Sequence, residues 1–419
     1  MRRTPTLLRL AARGVLREAR RSLLTASAMA LGLALLMFSR SLADGGHEDW
    51  IDAGVRMGAG HVLVQAPGHR ESGSLDDRLS QAQARASLVA LGRLRGRLSP
   101  LATTVRLSTS GLASSASSAV PAVIQGVDPT VEPGFSHVVE RLADGRYLEE
   151  DDRLAAYVGT AMAERLGLSL GSRFVLTAQS TEGEIKGQLV RVVGTFRTGL
   201  TEVDEGVVHI PIATARSWLV AEGAVTTVGA ILQDSRAVPE VVHELEAELA
   251  DEGVRVLSWR EAYPELNAAV RIDDYGDFVF HGILFGIVAL AVLNTVLMSV
   301  LYRKREFGVL QALGLTPAET GLVVFVEGLL LTALAGVVGM ALGVAVTWVL
   351  FRDGLDFSSL MDQDFTFSGI VLDPVIVPEF RMVHLLQSVL SIAVVGIAAS
   401  IYPAYRATRI DVGEALKFE

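Results

Sequence analysis

Four long runs of apolar positions, near 22–42, 278–301, 321–350 and 384–402, divide the chain into unlike stretches. Each holds about 20 residues or more, enough to cross a ~30 Å hydrocarbon layer. Between the first and second runs the pattern changes to short strand-like alternations and helical spacings over roughly 200 residues, room for a packed domain of its own. Strands are predicted at 60–66, 101–109 and 118–126, with a helix over 79–98 carrying Leu88, Leu91, Leu94 and Leu98. The small-residue stretch STSGLASSASS reads as a flexible hairpin connection. A second strand–helix–strand unit is predicted over 225–258, so the two halves share one α/β layer. Between them, about 145–222 is β-rich, with strands at 172–178, 187–197 and 205–212 and a short helix at 160–167. Past Pro264 no helix breaker intervenes except Gly276, which predicts one helix over 265–302, about 57 Å long. Pro317 to Phe351 would be about 52 Å. Both exceed the hydrocarbon thickness, and the excess not absorbed by tilt predicts rigid stalks.

The fold class that follows is a membrane α-helical chain of four transmembrane helices with a large α+β domain inserted between the first and second spans. The segments expected are a basic lead at 1–21, helix 1 at 22–42, the domain at 43–276, helix 2 at 277–302, a loop at 303–319, helix 3 at 320–351, a short loop at 352–382, helix 4 at 383–402 and a tail at 403–419. Half of the residues are hydrophobic and mean hydropathy is +0.40, too apolar for an ordinary soluble enzyme.

Charge adds an orientation. Residues 1–21 carry +6, 302–319 carry +1 and 403–419 carry zero, against −10 for the whole chain. Short basic segments stay cytoplasmic while long domains translocate regardless of charge. The two termini and the 303–319 loop are therefore expected inside, and the acidic domain outside. A cleaved signal peptide is the other reading of the first run, although its apolar stretch and basic lead are both long for one. The chain has no cysteine, which rules out disulfides and thiolate metal sites.

The loop YRKREFGVLQALGLTPAE holds the densest local signals. Phe307, Leu310 and Leu313 make a narrow apolar stripe on a short helix. Gly314 suits a left-handed helix terminus, and Thr316-Pro317-Ala318-Glu319 reads as a capping box that starts the next helix. The stripe either lies on the membrane surface or faces a partner protein. In the third run Ala335, Gly339 and Gly343 form a small-xxx-small ladder, suited to packing within the four spans or to a dimer seam. Glu327 is an acid inside that run, so it is either functional or paired with an arginine near the interface. His281 and His384 fall at outer ends of spans and read as isolated interfacial residues. Paired catalytic carboxylates, HExxH and Ser/His/Asp patterns are absent, so no catalytic and no metal-binding residue is assigned. A Walker A motif needs Gly-Lys-[Ser/Thr], and none of Lys186, Lys304 and Lys417 has that setting.

The stretch REFGVLQALGLTPAETGLVVFVEGLLLTALAGVVGMALG and the tail YPAYRATRIDVGEAL resemble the FtsX-domain permeases of MacB/LolC/LolE-type ABC transporters, as do QGVDP, VGTAMAERLGLSLGSRF and VVGTFRTGLTEVDEGVVHIPI in the domain. The resemblance implies that 303–319 is a coupling-helix loop docking on a separate ATPase, with Arg305, Glu306, Phe307, Gly308, Leu310, Ala312, Leu313 and Gly314 as the coupling residues. It further implies a non-catalytic subunit of the bacterial inner membrane, in which 43–276 is a MacB-like periplasmic core domain. No cofactor is expected on this chain, with ATP and Mg on the partner ATPase dimer. Further expected partners are a second permease subunit, membrane lipid, and a periplasmic carrier or adaptor; no nucleic acid is expected. TGLTEVD resembles a segment of lipoprotein-releasing permeases, whereas the hairpin QSTEGEIKGQ lacks the proline-bearing extension with which such permeases hook a carrier. Extraction of a lipophilic cargo is the function implied first. MacB-like efflux and an FtsX-like transmitter acting on a periplasmic hydrolase are the alternatives.

Overall fold

A computed structural model describes residues 9–11, 13, 19–94, 96–356, 366–367, 370–371 and 375–415. Most of the basic lead, most of the 357–374 part of the expected outer loop and the last four residues of the tail lie outside the described residues. The described residues form two compact units: 48–271 with 366–367 and 370–371, and the other described residues.

Helix α1 spans Ala19–Met57, well beyond the predicted run: it passes through Gly45 and Gly46 and continues over polar residues such as Glu48, with no proline to stop it. The α+β unit follows in chain order: β1 (Val62–Gln65), α2 (Gln81–Arg93), β2 (Pro100–Ser114), β3 (Ala119–Val127), β4 (Leu142–Gly145), β5 (Ala155–Gly159), α3 (Thr160–Leu166), β6 (Arg173–Gln179), β7 (Ile185–Phe196), α4 (Thr201–Gly206), β8 (Val207–Pro211), α5 (Ile212–Leu219), β9 (Thr227–Leu232), α6 (Val238–Glu248) and β10 (Arg255–Ser258). These ten strands join one sheet in the order β10-β1-β9-β2-β3-β8-β5-β7-β4, with β6 paired to β2 and β7. The β-rich insertion is therefore continuous with the α/β layer. Strand β2 makes the join: Pro100–Arg106 pair with β9, and Leu107–Ser114 pair with β3. Half of the supposed flexible connection is thus ladder, and its turn shrinks to Ser115–Ser118, closed by Ser115 N–H donating to Ser118 O at 2.8 Å. Small hydroxyl residues suit a strand whose neighbours lie close on both sides.

Two apolar clusters fill this unit. One groups Phe174, Leu176, Val190 and Trp218 under β2–β8, the other Leu91, Val228, Leu245 and Trp259 between α2, α6 and the β1–β9–β10 strands. Several polar groups inside are paired, while Ser180 Oγ and the indole nitrogens of Trp218 and Trp259 have no hydrogen-bond partner among the described residues. Arg106 pairs with buried Glu132, whose other oxygen accepts from Thr104 Oγ1 at 2.9 Å. His209 Nδ1 lies 3.2 Å from Tyr147 Oη. Burial, helped by the charge of Arg106, pushes the His209 pKa down to about 3.

The helical unit resumes with α7 (Pro264–Tyr302), α8 (Lys304–Ala312), α9 (Pro317–Phe351), α10 (Met382–Thr408) and α11 (Val412–Ala415). The ends of α7 and α9 fall where Pro264, the Thr316 cap and Pro317 set them. Four helices, Ala26–Met57 of α1 together with α7, α9 and α10, are long and apolar enough to cross a membrane.

Candidate coupling site

One residue, Arg303, separates α7 from α8, with φ −98° and ψ 14°. The far end of α8 closes in a Schellman arrangement. Gly314 N–H donates to Gln311 O and Leu315 N–H to Leu310 O, both at 3.0 Å, with Gly314 at φ 104° where a side chain would be strained. Helix α9 then starts on a complete capping box: Thr316 N–H donates to Glu319 Oε2 at 2.8 Å and Glu319 N–H to Thr316 Oγ1 at 3.3 Å.

The structure splits the apolar stripe. Phe307 is 1% exposed and sits among Val300, Val324 and Ala407, with Leu310 half-buried against the same cluster. Gly308 is buried too, and a Cβ there would lie 2.7 Å from the Ala415 Cβ. Leu313, in contrast, is 80% exposed. The reason is angular. At about 100° per residue, Leu313 lies ~120° round the helix from Phe307 but only ~40° from Val309. The outward face is Arg305, Val309, Ala312 and Leu313, a one-face spacing. Of the expected coupling residues, Phe307 and Gly308 therefore have no surface to offer and Leu310 little, while Val309 is exposed beside Leu313.

Arg303 ties the loop down. Its Nη1 donates to Glu327 Oε2 at 2.8 Å and its Nε to Glu306 Oε2 at 3.2 Å, and the guanidinium stands 5.0 Å from the Phe307 ring centre. Ser299 Oγ donates to the other Glu327 oxygen at 3.2 Å. Glu327 is therefore a paired acid. Among the described residues no group of three or more His, Cys, Asp or Glu has the geometry to hold a metal.

Comparison with known proteins agrees with this arrangement of helices and inserted domain. Residues 22–248 match the MacB-like periplasmic core domain, and residues 278–412 match the FtsX-like permease C-terminal region. The chain belongs to the FtsX/MacB-type ABC permeases. The lipoprotein-releasing system transmembrane protein LolC of Xylella fastidiosa (strain 9a5c) is 24% identical over 71% of this chain and 73% of its own. The macrolide export ATP-binding/permease protein MacB of Bdellovibrio bacteriovorus is 21% identical over 66% of this chain and 41% of its own. The periplasmic region of MacB from Actinobacillus actinomycetemcomitans covers 47% of this chain and 87% of that one at 14% identity, with a TM-score of 0.33. The protein is thus a multi-pass, non-catalytic permease subunit with a periplasmic-type domain, and its family implies an ATPase partner.

The permease fills its glycine ladder from within. A Cβ on Gly339 would lie 2.7 Å from Ala30 O, and one on Gly343 2.8 Å from the Met37 Cβ, so α1 occupies both positions. Ala335 is buried in the cluster that includes Ala26 and Met29 of the same helix. A dimer seam at these glycines is replaced by packing inside the chain. Similar close approaches join α9 to α10 at Gly328 beside Ser400 and Gly396 beside Thr332.

One constellation escaped the sequence reading. His281 and His384 are not isolated. Arg40 of α1 pairs with Asp277 of α7, and its Nη2 donates to His384 Nε2 at 3.1 Å. His384 Nδ1 lies 2.5 Å from Asp44 Oδ2, His281 Nδ1 3.0 Å from Asp277 Oδ1, and His47 Nε2 2.9 Å from Asp273 Oδ2. A network of charge thus joins α1, α7 and α10. The available signal was spacing: Arg40, Asp44 and His47, and Asp273, Asp277 and His281, each recur on one helix face.

Proposed function

We propose that this permease is the mechanotransmitting subunit of an ABC transporter that removes lipoproteins, or a related lipophilic cargo, from the outer leaflet of the bacterial inner membrane. The exposed Arg305–Val309–Ala312–Leu313 face of α8 carries this reading, because Leu313 and Val309 are exposed on a helix whose other side buries Phe307 and Gly308. That face docks in a cleft of the ATPase, which binds ATP and Mg; this chain binds neither. The termini and α8 lie in the cytoplasm, the α+β unit in the periplasm, and a second permease subunit, identical or related, completes the assembly. A periplasmic carrier or adaptor receives the cargo. The LolC relative supports lipoprotein as cargo. Depleting the permease is expected to strand outer-membrane lipoproteins in the inner membrane, measured by density fractionation. Normal sorting combined with new sensitivity to drugs or peptides would favour the second reading, efflux, which the MacB relative supports.

A further inference from the structure

We propose that Arg303 and Glu327 form an ionic latch through which displacement of α8 is carried into the third long helix, α9; this rests on the docking role given to α8 above. Arg303 is the one residue that breaks the helical run between α7 and α8, so the joint at which α8 would turn on α7 lies there. The side chain at that same joint restrains the turn. Its guanidinium is held on α8 by Glu306 and the Phe307 ring, and on α9 by Glu327. Glu327 in turn accepts from Ser299 of α7. Three helices therefore meet at one charged pair, which lies ten residues into α9 beyond the start of the helix at Pro317.

Apolar contacts resist separation but tolerate sliding. A buried ion pair with directional hydrogen bonds tolerates neither, because moving one partner leaves the other charge buried and uncompensated. Both side chains are only slightly exposed, 13% for Arg303 and 11% for Glu327. A push on the outer face of α8 then moves α9 with it; a second, uncharged tie between the two helices is Gln311 Nε2, which donates to Thr320 Oγ1 at 3.2 Å. Arg303 and Glu327 are positioning residues: neither belongs to the exposed face that docks.

The test uses the full permease with its ATPase in proteoliposomes, and a spin label on a cysteine at Trp348, an exposed site at the far end of α9 in this Cys-free chain. MgATP is expected to shift the label's spectrum in the parent complex. In Glu327→Gln the ATPase should still co-purify and still hydrolyse ATP, while the MgATP-dependent shift falls about tenfold, within the usual range of coupling energies. A full shift in the assembled Glu327→Gln complex overturns the latch. So does a loss of shift matched by an equal loss of bound ATPase, which marks a purely structural role. Should Glu327→Gln fail to accumulate, the apolar pair Arg303→Met with Glu327→Leu takes over the measurement, since well-packed apolar replacement of a buried pair is usually tolerated; a full shift there overturns the latch as well. Failure of the docking role has a separate signature. Val309→Asp with Leu313→Asp would then leave ATPase co-purification at the parent level, whatever the latch variants do.

Discussion

The two units of the chain solve opposite packing problems. In the α+β unit the large aromatic side chains turn inward, as with Phe174, Tyr157 and Trp259, and the large apolar residues left exposed, such as Leu101 and Ile185, are aliphatic. In the helical unit many of the large ones turn outward. Phe278, Ile283, Val337 and Leu390 are exposed, while glycine, alanine, serine and threonine line the helix contacts at Gly328, Gly339, Thr332 and Ser400. Water drives the first pattern. Hydrocarbon supplies no such drive between helices, so close approach and buried polar pairs take over. Helix α8 belongs to the helical unit by sequence yet buries Phe307 on one side and leaves polar and apolar residues bare on the other. It behaves as a surface helix in water, half of it already used.

This contrast makes predictions of graded size. Phe174→Ala removes a core aromatic from the α+β unit and should cost about 3–5 kcal/mol, measured by thermal or denaturant unfolding of the purified permease. In the helical unit addition should hurt more than removal. Gly339→Leu drives a side chain into the backbone of α1 and should cost about 1–3 kcal/mol by overpacking, read as a lower melting temperature in detergent. The pH response should belong to the α+β unit. His209 is held neutral, with a folded pKa of about 3 against an unfolded value near 6.5. Its stabilising contribution is therefore complete above about pH 6.5 and is lost as pH falls toward 3, by up to about 1.4 kcal/mol per pH unit. His61, lowered by burial to about 4, adds to the same slope. His209→Gln should flatten the loss of stability between pH 7 and 5; an unchanged slope would remove His209 as its source. Smallest of all, Leu390→Ala faces outward from α10 and should change stability by less than about 0.5 kcal/mol. A core-sized penalty there would mean that a partner helix, in place of lipid, covers that face.

What the sequence made legible follows the same division. Helices α7 and α9 could be read because Pro264, Thr316 and Pro317 mark their starts, whereas α1 and α10 run past the apolar stretches that announced them. The capping box at Thr316 and the Gly314 terminus were equally clear, since both are local chemistry. Two kinds of feature were not. Period alone places Phe307, Leu310 and Leu313 near one stripe but says nothing of which side α11 and the cluster around Val324 will cover. The network joining Arg40, Asp44, Asp277, His281 and His384 depends on which helices become neighbours, and single-helix spacing does not contain that. Likewise the insertion at 145–222 merged with its host because β2 is long enough to serve two sets of neighbours. The texture of small residues from Ser108 to Ser118 disguised that length.

On the reading proposed here, the outer face of α8, and not its inner one, meets the ATPase. Single cysteines at Leu313 and at Phe307 in this Cys-free chain allow the most direct measurement. Each detergent-solubilised variant is treated with a water-soluble maleimide, alone and with the ATPase bound at full stoichiometry. Leu313→Cys should react readily in the permease alone and become protected in the complex, while Phe307→Cys should stay unreactive in both. Equal reactivity of Leu313→Cys with and without bound ATPase would contradict the account, as would a reactive Phe307→Cys that the ATPase protects.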